Sequence, residues 1–189
     1  GVPACMLSAM GRSFVRSLAE GFDGMEEFLI KLNGCIFHDT DTAHFLTMGV
    51  LVLDQKSGVC EYACAGHTPL LLRFADGATR CISPEGPALG LLPNELGVEF
   101  DTLSFSFTPG CWVMLFSDGF TEALNPDGEE YGIERLESLW QDRAETPDAM
   151  RDRIVKDVRA FTCNRVQNDD RTLIVIARDA EGMESDGDA

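Results

Sequence analysis

The sequence predicts a layered α+β domain, and three observations carry that prediction. Residues 2–39 have helical periodicity, residues 44–119 alternate short apolar runs with turn residues, and helical spacing returns from Ile133 before a last strand-like run, "DRTLIVIAR". Met6, Met10, Phe14 and Leu18 fall on one helical row, and Met25, Phe28, Leu29, Leu32 and Ile36 on another, so two amphipathic helices are expected, parted near residues 21–24. The runs "HFLTMGVLVLD", "VCEYACAG", "PLLLRFADG", "ATRCIS", "FDTLSFSF" and "CWVMLFSDG" read as antiparallel strands, with "DQKSG" and "ADG" as hairpin turns. Ile133, Leu136, Leu139 and Trp140 form one further stripe. In "TPDAMRDRIVKDVRAF", Thr146 is the expected N-cap and Pro147 the first helical residue, with Met150, Ile154, Val158 and Phe161 inward.

Composition bounds the partners. A chain of 189 residues with 44% hydrophobic content builds one domain, expected over residues 1–178, and residues 179–189 read as an acidic flexible tail. The formal charge of −17, from 32 acidic against 15 basic residues, argues against nucleic acid or an anionic membrane as partner and favours a cationic ligand such as a divalent metal. The seven cysteines lie mostly in apolar runs without zinc-type spacing and read as reduced core residues of a cytoplasmic protein. No run approaches the roughly 18 consecutive apolar residues of a membrane span.

Two apolar strands have carboxylates at their mouths: Ser117-Asp118-Gly119 after "CWVMLF", and Asn168-Asp169-Asp170 before "TLIVI". If these strands are neighbours, the acids meet at one rim, and hard divalent cations take oxygen ligands of that kind. Successive strand residues face opposite ways, so one of Asp169 and Asp170 is expected to join the site. Each acidic turn, taken singly, is more often just a turn. The stretch "SPEGPALGLLPNELG", residues 83–97, reads as an ordered loop whose Leu89 and Leu91 are candidate substrate contacts. His67, where a strand turns, is either a substrate contact or a hydrogen-bonded structural histidine.

"ACAGHTPLLLR", "GPALGLLP", "VMLFSDGFTEALNPDGEEYGIERL" and "NDDRTLIVI", in this order and spacing, resemble the SpoIIE/RsbU-type branch of the metal-dependent protein phosphatases, the protein phosphatase 2C superfamily. The resemblance runs from Gly1 to about Arg178. It implies a four-layer α/β/β/α sandwich and hydrolysis of phosphoserine or phosphothreonine with two or more Mn²⁺ or Mg²⁺ ions. Asp118 and Asp169 match the family's metal-binding aspartates, Gly119 and Asp170 support them, and no catalytic side chain is implied beyond a metal-activated water. The implied substrate is a phosphorylated anti-sigma-factor antagonist of the STAS type, with a sensor or receiver module N-terminal to the domain and a homodimer contact possible through the first two helices. In this branch a further, bridging aspartate precedes Gly-Val-Pro-Ala, with which this sequence opens, so a domain lacking its N-terminal strands and inactive in this form is also expected. The competing reading is a non-catalytic pseudophosphatase or interaction module.

Overall fold

The computed structural model describes residues 2–40, 44–165, 167 and 169–179. The acidic tail expected over residues 179–189 therefore lies outside the described residues except for Asp179, as does Asn168. The class is α+β, with two antiparallel sheets accompanied by helices, as the sequence predicts. The chain forms two compact units, one of residues 1–69 and 83–106, the other of residues 70–82 and 107–189.

In the first unit, helices α1 (Val2–Ala19) and α2 (Met25–Asp39) accompany a three-stranded sheet of order β1-β2-β5, where β1 is Met48–Leu53, β2 is Val59–Ala65 and β5 is Thr102–Ser106. Both pairings are antiparallel, with Met48 opposite Ala65 and Val59 opposite Ser106. The expected row of α2 is buried as read: Met25, Phe28, Leu29, Leu32 and Ile36 pack with Ala63, Ala65, Val98 and Phe100. Of the expected row of α1, Phe14 and Leu18 line the same cluster, joined by Leu7 and Val15, while Met6 is exposed. In the "DQKSG" hairpin the Asp54 carboxylate accepts from the Lys56 backbone N–H (2.8 Å), which lowers its pKa.

The second unit has a four-stranded sheet of order β4-β3-β6-β7, where β3 is Leu70–Arg73, β4 Thr79–Ile82, β6 Trp112–Phe116 and β7 Leu173–Ala177. Among the described residues its helices are α3 (Asp118–Thr121), α4 (Ile133–Gln141) and α5 (Pro147–Phe161). Alternation along β6 puts Trp112, Met114 and Phe116 on one face, where they meet Leu136 and Trp140 of α4 and Met150, Ile154 and Val158 of α5. The two indoles cross edge-on at 6.3 Å. Helix α5 starts where the sequence places it: the Thr146 hydroxyl accepts from the Ala149 N–H (3.1 Å), and Pro147 occupies the first turn. Burying its three core side chains contributes roughly 5–9 kcal/mol before conformational entropy is counted.

The cysteines are all free thiols, but only Cys60, Cys64 and Cys111 are buried; Cys5, Cys81 and Cys163 are exposed, which corrects the expectation of a mainly interior role. Cys81 is on β4, an edge strand with one neighbour, so half of its surroundings is solvent.

Candidate metal centre

Antiparallel pairing of β6 and β7 brings the segments that carry the two acids to one end of the sheet. Phe116 opposite Leu173 is the last ladder pair, so the chain leaving β6 and the chain entering β7 lie at the same end of the sheet. Beyond it the Ser117 N–H donates to the Thr172 carbonyl (3.0 Å), and the Thr172 N–H donates to the Ser117 hydroxyl (2.9 Å). That hydroxyl donates in turn to the Asp170 carbonyl (3.1 Å). The polar ends of two apolar strands are thus tied by one serine, and Asp118 and Asp169 flank this tie on either strand.

Asp118 begins the one-turn helix α3, where the sequence alone suggests a turn. Its carbonyl is taken by the Glu122 N–H (2.8 Å) and the Thr121 hydroxyl (3.1 Å), while its side chain is exposed. Asp169 is exposed as well; its Oδ1 accepts from the Asp170 N–H (2.7 Å). Asp170 contributes its carbonyl to the tie. Gly119 passes so close to that carbonyl that a Cβ at this position would lie 2.3 Å from the oxygen, so only glycine fits.

The donors here are carboxylate, hydroxyl and carbonyl oxygens, the chemistry that suits a hard divalent cation. Among the described residues no group of three or more His, Cys, Asp and Glu is arranged to hold an ion. Asp118 and Asp169 would therefore leave most of an octahedral ion's roughly six positions to water or substrate.

Beside Asp169 opens a cavity of ≈ 390 Å³, lined also by Gly119, Glu122, Glu130, Arg165 and Arg171. Arg171 Nε–H donates to the Gly119 carbonyl (2.9 Å), and Arg165 Nη1 donates to the Asn125 carbonyl (3.2 Å). The sequence reading missed both arginines. Arg171 directly follows the acidic pair and could have been flagged on that ground; Arg165 carries no such signal.

The other candidates belong to the first unit. His67 is half-buried, its Nδ1 3.1 Å from the Thr68 hydroxyl and 3.2 Å from the Thr68 carbonyl, and its own carbonyl accepts from the Cys64 thiol (2.8 Å). Leu89 must be corrected. It exchanges two backbone hydrogen bonds with Leu46 and is fully buried in the core, so a substrate cannot touch its side chain. Leu91, two residues on, is 47% exposed. The loop between them is fastened from below by Asn33 of α2, which is completely buried. Its carboxamide donates to the Leu92 carbonyl (2.9 Å) and to Asn94 Oδ1 (2.7 Å), and it accepts from the Gly90 N–H (2.7 Å). Gly90, at φ 81° with Ile36 Cγ2 2.6 Å from where its Cβ would be, makes this approach possible.

Comparison with known proteins agrees with this architecture. Protein IcfG of Synechocystis sp. is 29% identical over 138 residues, 73% of this chain and 21% of that protein; the chain thus spans about a fifth of the length of the curated relative it matches. The SiaA-PP2C domain of Pseudomonas aeruginosa superposes with a TM-score of 0.78 at 18% identity, covering 95% of this chain and 71% of that one. The structure of the RsbU and RsbW domains of Rv1364c from Mycobacterium tuberculosis gives 0.69 at 26% identity, covering 95% and 49%. The phosphatase domain of SpoIIE from Bacillus subtilis, presoaked with Mn, gives 0.61 at 17% identity, covering 89% and 73%. A profile of the family described as Stage II sporulation protein E matches residues 1–179, and by that match, over a fold shared with these phosphatase domains, the chain belongs to the SpoIIE family of PP2C-type phosphatases.

Proposed function

We propose that this domain hydrolyses phosphoserine or phosphothreonine on a bacterial signalling protein, an anti-sigma-factor antagonist of the STAS type, with Mn²⁺ or Mg²⁺ held by Asp118 and Asp169. The observation that carries this reading is the Ser117 tie, which brings two strand-end acids to one end of the β6–β7 pair. A divalent cation held by Asp118 and Asp169 would supply an acidified water and positive charge for the phosphoryl oxygens, so that a nucleophilic side chain would not be required. The chain's own residues bind and orient. Asp118 and Asp169 offer the charged oxygens, Ser117 fixes the spacing of their backbones, and Gly119 lets the two segments close. The formal −17 raises the local cation concentration. In the parent protein a sensor or receiver module would precede the domain, and the free thiols accord with a cytoplasmic setting.

A binding module without turnover is the second reading, favoured by the exposed Leu91, Leu92 and Leu96 on one anchored loop. Turnover of a phosphoserine peptide with Mn²⁺, compared between the parent and Asp118→Asn and Asp169→Asn, separates the two. Loss of roughly 100-fold or more in each variant supports the enzyme. Binding of the phosphoprotein with no turnover in the parent, unaltered by either change, supports the module.

A further inference from the structure

We infer that Arg165 and Arg171 form an oxyanion subsite in the cavity beside Asp169, which receives the phosphoryl group of the substrate and retains inorganic phosphate after hydrolysis. This rests on the phosphatase reading above but names residues that reading does not need. Both guanidinium groups line the same ≈ 390 Å³ space, and each is anchored by a single N–H on a backbone carbonyl, Asn125 for Arg165 and Gly119 for Arg171. Among the described residues neither has a carboxylate within ion-pair distance, whereas Arg151, on the exposed side of α5, pairs with both Asp148 and Asp152. What sets this pair apart is that both arginines line one cavity together with Asp169 and Gly119, so an anion entering it meets two guanidinium groups beside a metal-ligand candidate.

Their position gives the ligand class. Arg171 hangs on the carbonyl of the residue after Asp118 and follows Asp169 by two, so it is tied to both segments that carry the metal-ligand candidates. A planar guanidinium presents several donors, which match the oxygens of a phosphoryl group in pairs. Glu122 and Glu130 line the same cavity, so an anion is held there only by direct contact with the arginines and not by a general positive field. The substrate's phosphoserine is preferred to a flanking carboxylate because the arginines share their cavity with Asp169, a metal-ligand candidate that the reacting phosphorus must approach.

The test uses the full chain and inorganic phosphate alone, followed by phosphorus NMR titration without divalent ions. Arg171→Gln keeps a donor for the Gly119 carbonyl while removing the charge, and Arg165→Gln does the same at Asn125. Each is expected to weaken phosphate binding about tenfold, and Glu130→Gln is expected to tighten it. Unchanged phosphate affinity in both arginine variants would overturn the proposal. So would a dependence on both arginines for an unphosphorylated acidic peptide but not for phosphate, which would assign the pocket to flanking carboxylates. If Arg171→Gln does not fold, Arg165→Gln and Glu130→Gln still decide the matter. Because binding is read without turnover, a chain that holds phosphate through these arginines leaves the subsite standing whether or not it hydrolyses anything.

Discussion

Gly119 is the position where a single methyl group should do most damage. An alanine Cβ would lie 2.3 Å from the Asp170 carbonyl oxygen, 3.1 Å from its carbon and 3.3 Å from Arg171 Cγ, and real Cβ contacts essentially never fall under 3.0 Å. The two segments must therefore separate by at least 0.7 Å, the difference between 3.0 and 2.3 Å. The Asp170 carbonyl that moves is the acceptor for the Ser117 hydroxyl at 3.1 Å, so the tie is stretched beyond hydrogen-bonding range if the motion runs along it. Overpacking of this kind costs about 1–3 kcal/mol and the lost hydrogen bond about 1 more. For a domain of this length that corresponds to a fall of roughly 5–15 °C in melting temperature. The acids flank the tie, so Mn²⁺ should raise the melting temperature of Gly119→Ala less than that of the parent. Gly21→Ala is the control, since nothing lies within 4 Å of its Cβ position, and it should be neutral. Thermal unfolding of the three proteins with and without Mn²⁺ decides the point. A Gly119→Ala protein that melts with the parent and responds equally to Mn²⁺ would show that the two strand ends are not packed as described.

Three further outcomes follow from the packing. Leu89→Ala should cost about 2–5 kcal/mol because the side chain is fully buried, whereas Leu91→Ala should stay within about 0.5 kcal/mol, as denaturant midpoints will show. Asn33→Ala removes three hydrogen bonds and leaves the Gly90 N–H without its acceptor, so about 2–3 kcal/mol should be lost, and hydrogen exchange should rise first in the loop carrying Leu91. The Tyr131 hydroxyl donates to Asp157 Oδ2 (2.6 Å), and burial, then that carboxylate, push its pKa well above the ordinary phenol value. A raised folded-state pKa gives stability that is complete below the unfolded value near 10 and is lost as pH climbs from there toward the folded value. Tyr131→Phe should be less stable than the parent at neutral pH and should lack that alkaline decline, measured by urea unfolding at a series of pH values.

What could be read in the sequence depended on how local its cause was. Asp118 and Asp169 stood out because each interrupts an apolar strand at its end, and α2 was legible because Met25 to Ile36 repeat with the helical period. The α1 face was only partly legible: Phe14 and Leu18 pack as read, while Met6 is exposed and Leu7 and Val15 take part instead. At Gly11 a Cβ would be 2.7 Å from Leu46 Cδ2, so the helix packs there where it has no side chain, and a reading that follows large apolar residues steps over a glycine onto Met6 and Met10. Leu89 and Leu91 look alike in a chain of letters; the bridge to Leu46 buries one and leaves the other out, and no local pattern encodes it. Arg165 and Arg171 are anchored by carbonyls 40 and 52 residues away, a pairing that exists only once the strands have paired.

The arginines and the net charge work against each other at different ranges, and this leads to a last testable consequence. A chain at −17 presents a negative field that attracts metal cations and repels acidic phosphoproteins, and that field fades over about 8 Å at physiological ionic strength. Arg165 and Arg171 share their cavity with Glu122, Glu130 and Asp169, so their attraction is confined to contact distance. Approach should therefore be governed by the field and retention by the arginines. As salt rises from about 0.02 to 0.3 M, association of a phosphopeptide with acidic flanks should quicken and that of one with basic flanks should slow. Arg165→Gln and Arg171→Gln should leave both slopes nearly intact while speeding dissociation of either peptide. Stopped-flow fluorescence on the two peptides reads rates in both directions. If the acidic-flanked peptide associates more slowly as salt rises, the arginines reach beyond contact range, and the division of labour between field and pocket is wrong.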